Sequence, residues 1–258
     1  MNKIAFLDSG LGGVSVLKEA VKILPHEDYI YYADNLHAPY GPKPKEQVKQ
    51  HIFAAVNFLA SSNIKALVVA CNTATSVAIE DLRRQYSFPI IGMEPAIKPA
   101  IEKYKNSNKR ILVLATDLSL KEAKLRNLIA KMEAHTIVDS LSLPMLVTFV
   151  DNFEYNQEKI TEYIKQSLLP YNMNDYGAVV LGCTHYVIYH YLFKKILPAG
   201  VDIFDGNVAT IKYLKTVLDQ RSLLSSDGSR KIDFYYSGEK TKSEVIHNFL
   251  QSMIPSIL

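Results

Sequence analysis

Short apolar runs of strand character alternate with helical patterns from one end of the chain to the other. IAFLD (4–8), DYIYYAD (28–34), ALVVA (66–70), PII (89–91), RILVLA (110–115), AHTIV (134–138), AVVLG (178–182), VDIF (201–204) and KIDFYY (231–236) read as strands. Between them, VSVLKEAVKIL (14–24), QVKQHIFAAVNFL (47–59) and EKITEYIKQSLL (158–169) carry apolar residues at helical spacing. Strand and helix alternating at this interval give βαβ units, hence a parallel sheet with helices on both faces. Several of the strands are apolar throughout, as a sheet covered on both sides requires.

The alternation also repeats itself. KIAFLDSG (3–10) resembles KRILVLATD (109–117), and KALVVACNTAT (65–75) resembles GAVVLGCTHY (177–186). Ile111 lies 107 residues after Ile4, and Cys183 lies 112 after Cys71. The expected fold is therefore α/β, with two pseudo-symmetric doubly wound parallel-sheet lobes and the active site in the cleft between them. The boundary is expected near Glu94 to Pro99, where EPAIKP carries two prolines, and the stretch from about Val208 returns to the first lobe. That assigns residues 1–95 plus 208–258 to one lobe and 96–207 to the other. SSDGS (225–229) reads as a solvated loop.

Composition narrows the function. Of the 258 residues 48% are hydrophobic and 21% charged, an ordinary balance for a folded domain and unlike that of a disordered chain. Net charge is +3, with the charges scattered rather than clustered, so nucleic acid is not expected as a partner. No apolar run approaches the ~18 residues of a membrane span, and Asp8 interrupts the apolar stretch 4–7 before it could serve as a secretory signal. A cytoplasmic protein without membrane association is expected. The two cysteines form no C-x-x-C, which argues against a disulfide scaffold and an all-Cys zinc site. His26, His37, His51, His135, His190 and His247 show no metal-ligand spacing and are assigned to surface or core.

Each cysteine is the first residue after a strand, where open parallel sheets bind ligands. A free cysteine at a strand end is usually an inert packing residue. Here the only two occupy matching positions of two repeats, beside Asn72 and Thr73 in one and Thr184 and His185 in the other. Two facing thiols suit inversion of a carbon centre, one removing a proton from one face while the other delivers a proton to the opposite face. A thiol of ordinary pKa, about 8.5, is mostly protonated at neutral pH, so neighbours must assist. Asp8 and His185 are candidates, although Asp8 reads equally as a helix N-cap and His185 as the cap of a helix formed by YVIYHYLFKKIL (186–197).

DSGLGG (8–13) follows a strand and opens a helix, with Asp34 at the end of the next strand, which is most of a dinucleotide fingerprint. Ser15 occupies the third glycine position, and Asp8 would repel a pyrophosphate. The loop amides and helix N-terminus are therefore expected to hold a small anion such as a carboxylate, with a non-catalytic dinucleotide-binding protein as the competing reading. PYGPK (39–43) would hold the Tyr40 hydroxyl and Gly41 amide at the same rim, or form only a rigid loop.

Taken together, DSGLGG, PYG, ACNTAT and GCTHY, in this order along nearly the whole chain, resemble the Asp/Glu racemase family of cofactor-independent enzymes, in which D-glutamate is made for bacterial peptidoglycan. The resemblance implies two lobes around a glutamate substrate, no cofactor, no metal, and a homodimer. Aspartate or another short acidic amino acid is the near alternative. It further implies that Cys71 removes the Cα proton of D-glutamate and Cys183 that of L-glutamate, with Asp8 and His185 assisting. Substrate contacts carried across are Asp8, Ser9, Tyr40, Gly41, Asn72, Thr73, Thr184 and His185. The chain departs from the family pattern in several places. ATDLS (115–119) keeps Thr116 but has Leu118 and Ser119 where Gly and Thr are more frequent. Asp151, or nearby Glu154, stands where an auxiliary Glu is common. Val187 follows GCTHY in place of Pro, and DGN (205–207) replaces DSG.

Overall fold

In the computed structural model, residues 3–93, 96–228, 230–240 and 244–253 are described. The elements run β1 (Lys3–Asp8), α1 (Val14–Ile23), β2 (Tyr29–Ala33), α2 (Lys45–Ser61), β3 (Ile64–Val69), α3 (Asn72–Gln85), β4 (Ile90–Gly92) and α4 (Ile97–Tyr104). There follow β5 (Arg110–Leu114), α5 (Asp117–Lys121), α6 (Ala123–Lys131), β6 (Val138–Leu141), α7 (Pro144–Asp151), α8 (Gln157–Leu168) and β7 (Tyr176–Leu181). The chain closes with α9 (Thr184–Ile188), α10 (His190–Ile196), β8 (Asp202–Phe204), α11 (Asn207–Gln220), β9 (Ile232–Tyr236), β10 (Glu239–Lys240) and α12 (Glu244–Met253).

The strands form two sheets, β10-β9-β2-β1-β3-β4 and β6-β5-β7-β8, parallel throughout except for the β9–β10 hairpin. The four strands of the second sheet match β2-β1-β3-β4 of the first, and the match reaches the register. β1 slips against β3 between Lys3 and Ile4, and β5 slips against β7 between Arg110 and Ile111, at the same point of each repeat. Residues of β1, β2 and β3 are buried on both faces apart from half-buried Lys3, which explains their apolar runs, with Asp8 and Lys65 as buried charged exceptions. Ile4 and Phe6 of the first sheet and Leu112 and Leu114 of the second belong to one core, so the inner faces of the sheets share apolar packing.

Several local expectations change. AHTIV (134–138) is not the sixth strand: Glu133 has a positive φ of 54°, Ala134 and Ile137 are taken up in turn hydrogen bonds, and the strand starts at Val138. β-branched Thr136 and Ile137 favour strand locally, but of the two the Ile137 carbonyl alone meets the β5 backbone, accepting the Ile111 amide at 2.7 Å, and the paired residues start at Val138. The segment 186–197 is two helices that part at Tyr189. Within EPAIKP, Glu94 and Pro95 lie outside the described residues, whereas Pro99 sits in the first turn of α4, where proline is tolerated. Ser229 of the SSDGS loop and the side chain of His247 also lie outside them. No described helix is long and apolar enough to cross a membrane.

Candidate active site

The repeat carries the cysteines to equivalent places. Just past β3, the amide of Ala70 donates to Leu7 at 2.8 Å; just past β7, that of Gly182 donates to Leu114 at 2.7 Å. One residue later stand Cys71, the N-cap of α3, and Cys183, the N-cap of α9. Both thiols are free and line a single cleft between the lobes.

The surroundings of the two sulfurs differ. Cys71 Sγ accepts the Ala74 amide at 3.4 Å and lies 3.8 Å from Ser9 Oγ. Burial pushes its thiol up to about 12, with the Asp8 charge adding to the effect. Cys183 Sγ lies 3.9 Å from Nδ1 of His185, whose Nε2 is 3.1 Å from Asp151 Oδ1. Burial alone would lower the imidazole pKa, but the charge and hydrogen bond of Asp151 reverse this and hold it well above the usual histidine range. For Asp151, burial opposes ionisation, and His185 with the Leu11 amide overcomes it, keeping the carboxyl below its usual value. Glu154 instead pairs with Lys159 at 2.7 Å on the surface, which separates the two acids that the sequence left ambiguous.

Asp8 is fully buried and does not line the cleft. It accepts Ser9 Oγ at 3.2 Å, the Gly10 amide at 3.1 Å and, from the opposite lobe, Thr184 Oγ1 at 2.8 Å. Burial raises its pKa, partly offset by His185. The N-cap of α1 is Gly13, so the capping reading of Asp8 fails, and His185 sits inside α9 rather than capping it. In this geometry Asp8 is placed to act through its neighbours rather than to touch a ligand.

Of the other expected contacts, Ser9, Tyr40, Gly41, Asn72, Thr73, Thr184 and His185 all line the cleft. The Tyr40 hydroxyl, however, is committed to Asp34 Oδ2 at 2.6 Å, so Tyr40 presents its ring and loop to the cleft. The same Asp34 lies 2.8 Å from His37 Nδ1 through its other oxygen, a structural role in place of ribose binding. Thr73 Oγ1 meets Thr116 Oγ1 at 2.8 Å and Ser119 Oγ at 3.2 Å across the lobes, and Gly41 packs on Thr116. Asn72 Oδ1 is buried without a hydrogen-bond partner among the described residues. Asp117, Ser142, Pro144, Val147 and Thr148 also line the cleft from the second lobe, Asp117 being the one carboxylate among the described lining residues. The last four follow β6, whose start is obscured in the sequence by the β-branched Thr136 and Ile137 before it. No Lys or Arg lines the cleft among the described residues, so a bound carboxylate would be met by hydroxyls, amides and His185.

The glycines of the loop are taken up by contacts within the protein. A Cβ on Gly10 would lie 2.5 Å from Asp151 Oδ1, and one on Gly12 would lie 2.3 Å from His185 Nδ1. The glycines let these two side chains approach the backbone, in place of the close phosphate approach of a dinucleotide site. At the back of α9, Asn207 of the DGN segment donates to Ser15 Oγ, which reaches the Thr184 carbonyl at 3.3 Å. No cluster of metal-ligating side chains occurs among the described residues.

Residues 11–214 match the Asp/Glu/Hydantoin racemase family model. The chain is 53% identical over 248 residues to glutamate racemase 2 of Bacillus subtilis, covering 96% of this chain and 93% of that protein. It is 52% identical over 239 residues to the glutamate racemase of Halothermothrix orenii, covering 92% and 94%. Among solved structures, Escherichia coli glutamate racemase in complex with L-glutamate and the activator UDP-MurNAc-ala superposes with a TM-score of 0.85 at 27% identity, covering 98% of this chain and 96% of that one.

Proposed function

The chain belongs to the Asp/Glu/Hydantoin racemase family, and on that footing we propose that it interconverts L- and D-glutamate without a cofactor, supplying D-glutamate for peptidoglycan. The observation that carries this reading is the placement of Cys71 and Cys183 at equivalent repeat positions on one cleft. In the L-to-D direction the Cys183 thiolate removes the Cα proton and the Cys71 thiol protonates the opposite face of the planar carbanion. In the D-to-L direction the roles exchange.

His185 serves the Cys183 side. Its imidazolium, held by Asp151, stabilises a neighbouring thiolate by charge and returns a proton to it. Asp8 serves the Cys71 side from behind the cleft wall. Asn72, Thr73, Thr116 and Thr184 offer neutral polar contacts to the substrate carboxylates and ammonium. We assign residues 1–95 plus 208–258 to the first lobe and 96–207 to the second, in keeping with β9 beside β2. We further assign the enzyme to the cytoplasm as a homodimer, on the family resemblance.

The test is to incubate purified protein with L-glutamate, adding no cofactor, and follow circular dichroism. The signal is expected to decay to zero. A stable signal with glutamate, accompanied by decay with aspartate, would move the assignment to the shorter substrate.

A further inference from the structure

Strand alternation decides which groups can exchange a proton with Cys71. Successive β1 side chains point to opposite faces of the sheet. Ile4 and Phe6 face the core shared with the second lobe, while Ala5 and Leu7 face the core that contains Leu67, Val69 and Cys71. Continuing this alternation to the strand's last residue puts Asp8 on the face away from Cys71, while Ser9, just past the strand end, reaches the thiol. The hydrogen bonds agree: Asp8 has none to Cys71 among the described residues, whereas Ser9 Oγ contacts both, at 3.8 Å from Cys71 Sγ and 3.2 Å from Asp8 Oδ1.

We propose that Ser9 is a catalytic proton relay linking Cys71 to Asp8, a role that rests on the racemase reading above. The Cys71 S–H bond breaks as its proton passes to Ser9 Oγ, and the Ser9 O–H bond breaks as that proton passes to Asp8 Oδ1. Sulfur keeps the electron pair and becomes the thiolate, Ser9 regains a hydroxyl, and Asp8 becomes the neutral acid. The reverse transfer restores the thiol. Burial makes Asp8 a better proton acceptor than an exposed carboxylate. The sulfur–oxygen distance of 3.8 Å is within reach of a thiol hydrogen bond.

The relay is confined to the first lobe. The counterpart of Ser9 at the repeat offset is Thr116, whose hydroxyl is engaged with Thr73 at 2.8 Å and Ser119 at 3.0 Å. Cys183 meets His185 directly instead.

Ser9→Ala and Ser9→Thr test the relay through turnover and through the thiol itself. Ser9→Ala is expected to lower kcat for glutamate about a hundredfold with a much smaller change in KM, and Ser9→Thr to restore most of it. In a Cys183→Ala background Cys71 is the only thiol, and Ser9→Ala is expected to slow its alkylation by iodoacetamide several-fold, with recovery in Ser9→Thr. A raised KM with unchanged kcat and alkylation would reduce Ser9 to a substrate contact and overturn the relay. Unchanged kinetics and alkylation would overturn it as well. If the parent protein leaves glutamate untouched while alkylation still depends on the Ser9 hydroxyl, the relay stands and the choice of substrate falls.

Discussion

Nε2 of His185 lies 3.1 Å from Oδ1 of Asp151, and that oxygen also accepts the amide of Leu11 from the first lobe at 3.0 Å. One carboxylate therefore fixes the imidazole beside Cys183 and fastens it across the cleft. Because the His185 pKa is raised, its contribution to stability is complete below the ordinary histidine value and is lost as pH rises through the raised one. Because the Asp151 pKa is lowered, its contribution is complete above the ordinary carboxylate value and is lost as pH falls through the lowered one. The pair is intact between those limits, a window that includes neutral pH.

Asp151→Asn should accordingly cost about 3 kcal/mol at neutral pH by leaving a buried imidazolium without its counter-charge. Thermal melts across pH should show the alkaline loss of stability moving down toward the ordinary histidine range. An unchanged profile would mean that Asp151 does not set the charge of His185.

On the two-thiol mechanism proposed above, each cysteine serves its own face of the substrate. Cys71→Ala and Cys183→Ala are each expected to lower kcat on the order of 10³-fold or more, because the remaining thiol cannot serve both faces. Both residues are nearly buried, so a stability loss of about 1 kcal/mol accompanies the change. Circular dichroism gives both readouts, and a single variant with full activity contradicts the two-thiol account.

Gly12→Ala places a methyl carbon 2.3 Å from His185 Nδ1 and 2.6 Å from its backbone nitrogen. The clash should cost about 1–3 kcal/mol and displace the imidazole. We expect at least a tenfold fall in kcat, with no gain or loss of NAD(H) binding by thermal shift.

Lys65 and Glu27 form a buried pair at 2.5 Å far from the cleft. Lys65 also donates to the Leu223 carbonyl at 2.6 Å and Ser225 Oγ at 2.9 Å, while the Ser225 amide donates to Glu27 at 2.9 Å. This network fastens the segment leading to β9 onto the first sheet. Lys65→Met should destabilise the protein by about 3 kcal/mol in urea unfolding, since it strands the Glu27 carboxylate. KM for glutamate should remain unchanged.

The parts of this architecture legible in the sequence are those fixed by local pattern. The strands ending near Asp8, Val69, Leu114 and Leu181 carry unbroken apolar runs at 4–7, 66–69, 111–114 and 178–181, and the repeat of Cys71 in Cys183 places both thiols at corresponding strand ends. Partner choice was less legible. Asp34 reads as a ribose acid by spacing, yet tertiary contact gives it to Tyr40 and His37. Asp8 reads as a ligand contact or cap, but strand alternation turns it behind the wall. Ser142, Pro144, Val147 and Thr148 follow the one strand whose β-branched residues drew the reading four positions too early.

The most direct test of the two-thiol mechanism is racemisation of L-glutamate in D₂O, with Cα deuterium measured at low conversion in both the D-glutamate formed and the L-glutamate recovered. The account predicts deuterium at Cα of nearly all the D-product and protium retained in the recovered L-substrate, because one thiol takes the proton and the other delivers from a solvent-exchanged site. Protium retained in the product, or deuterium entering the recovered substrate as fast as the product forms, would contradict it.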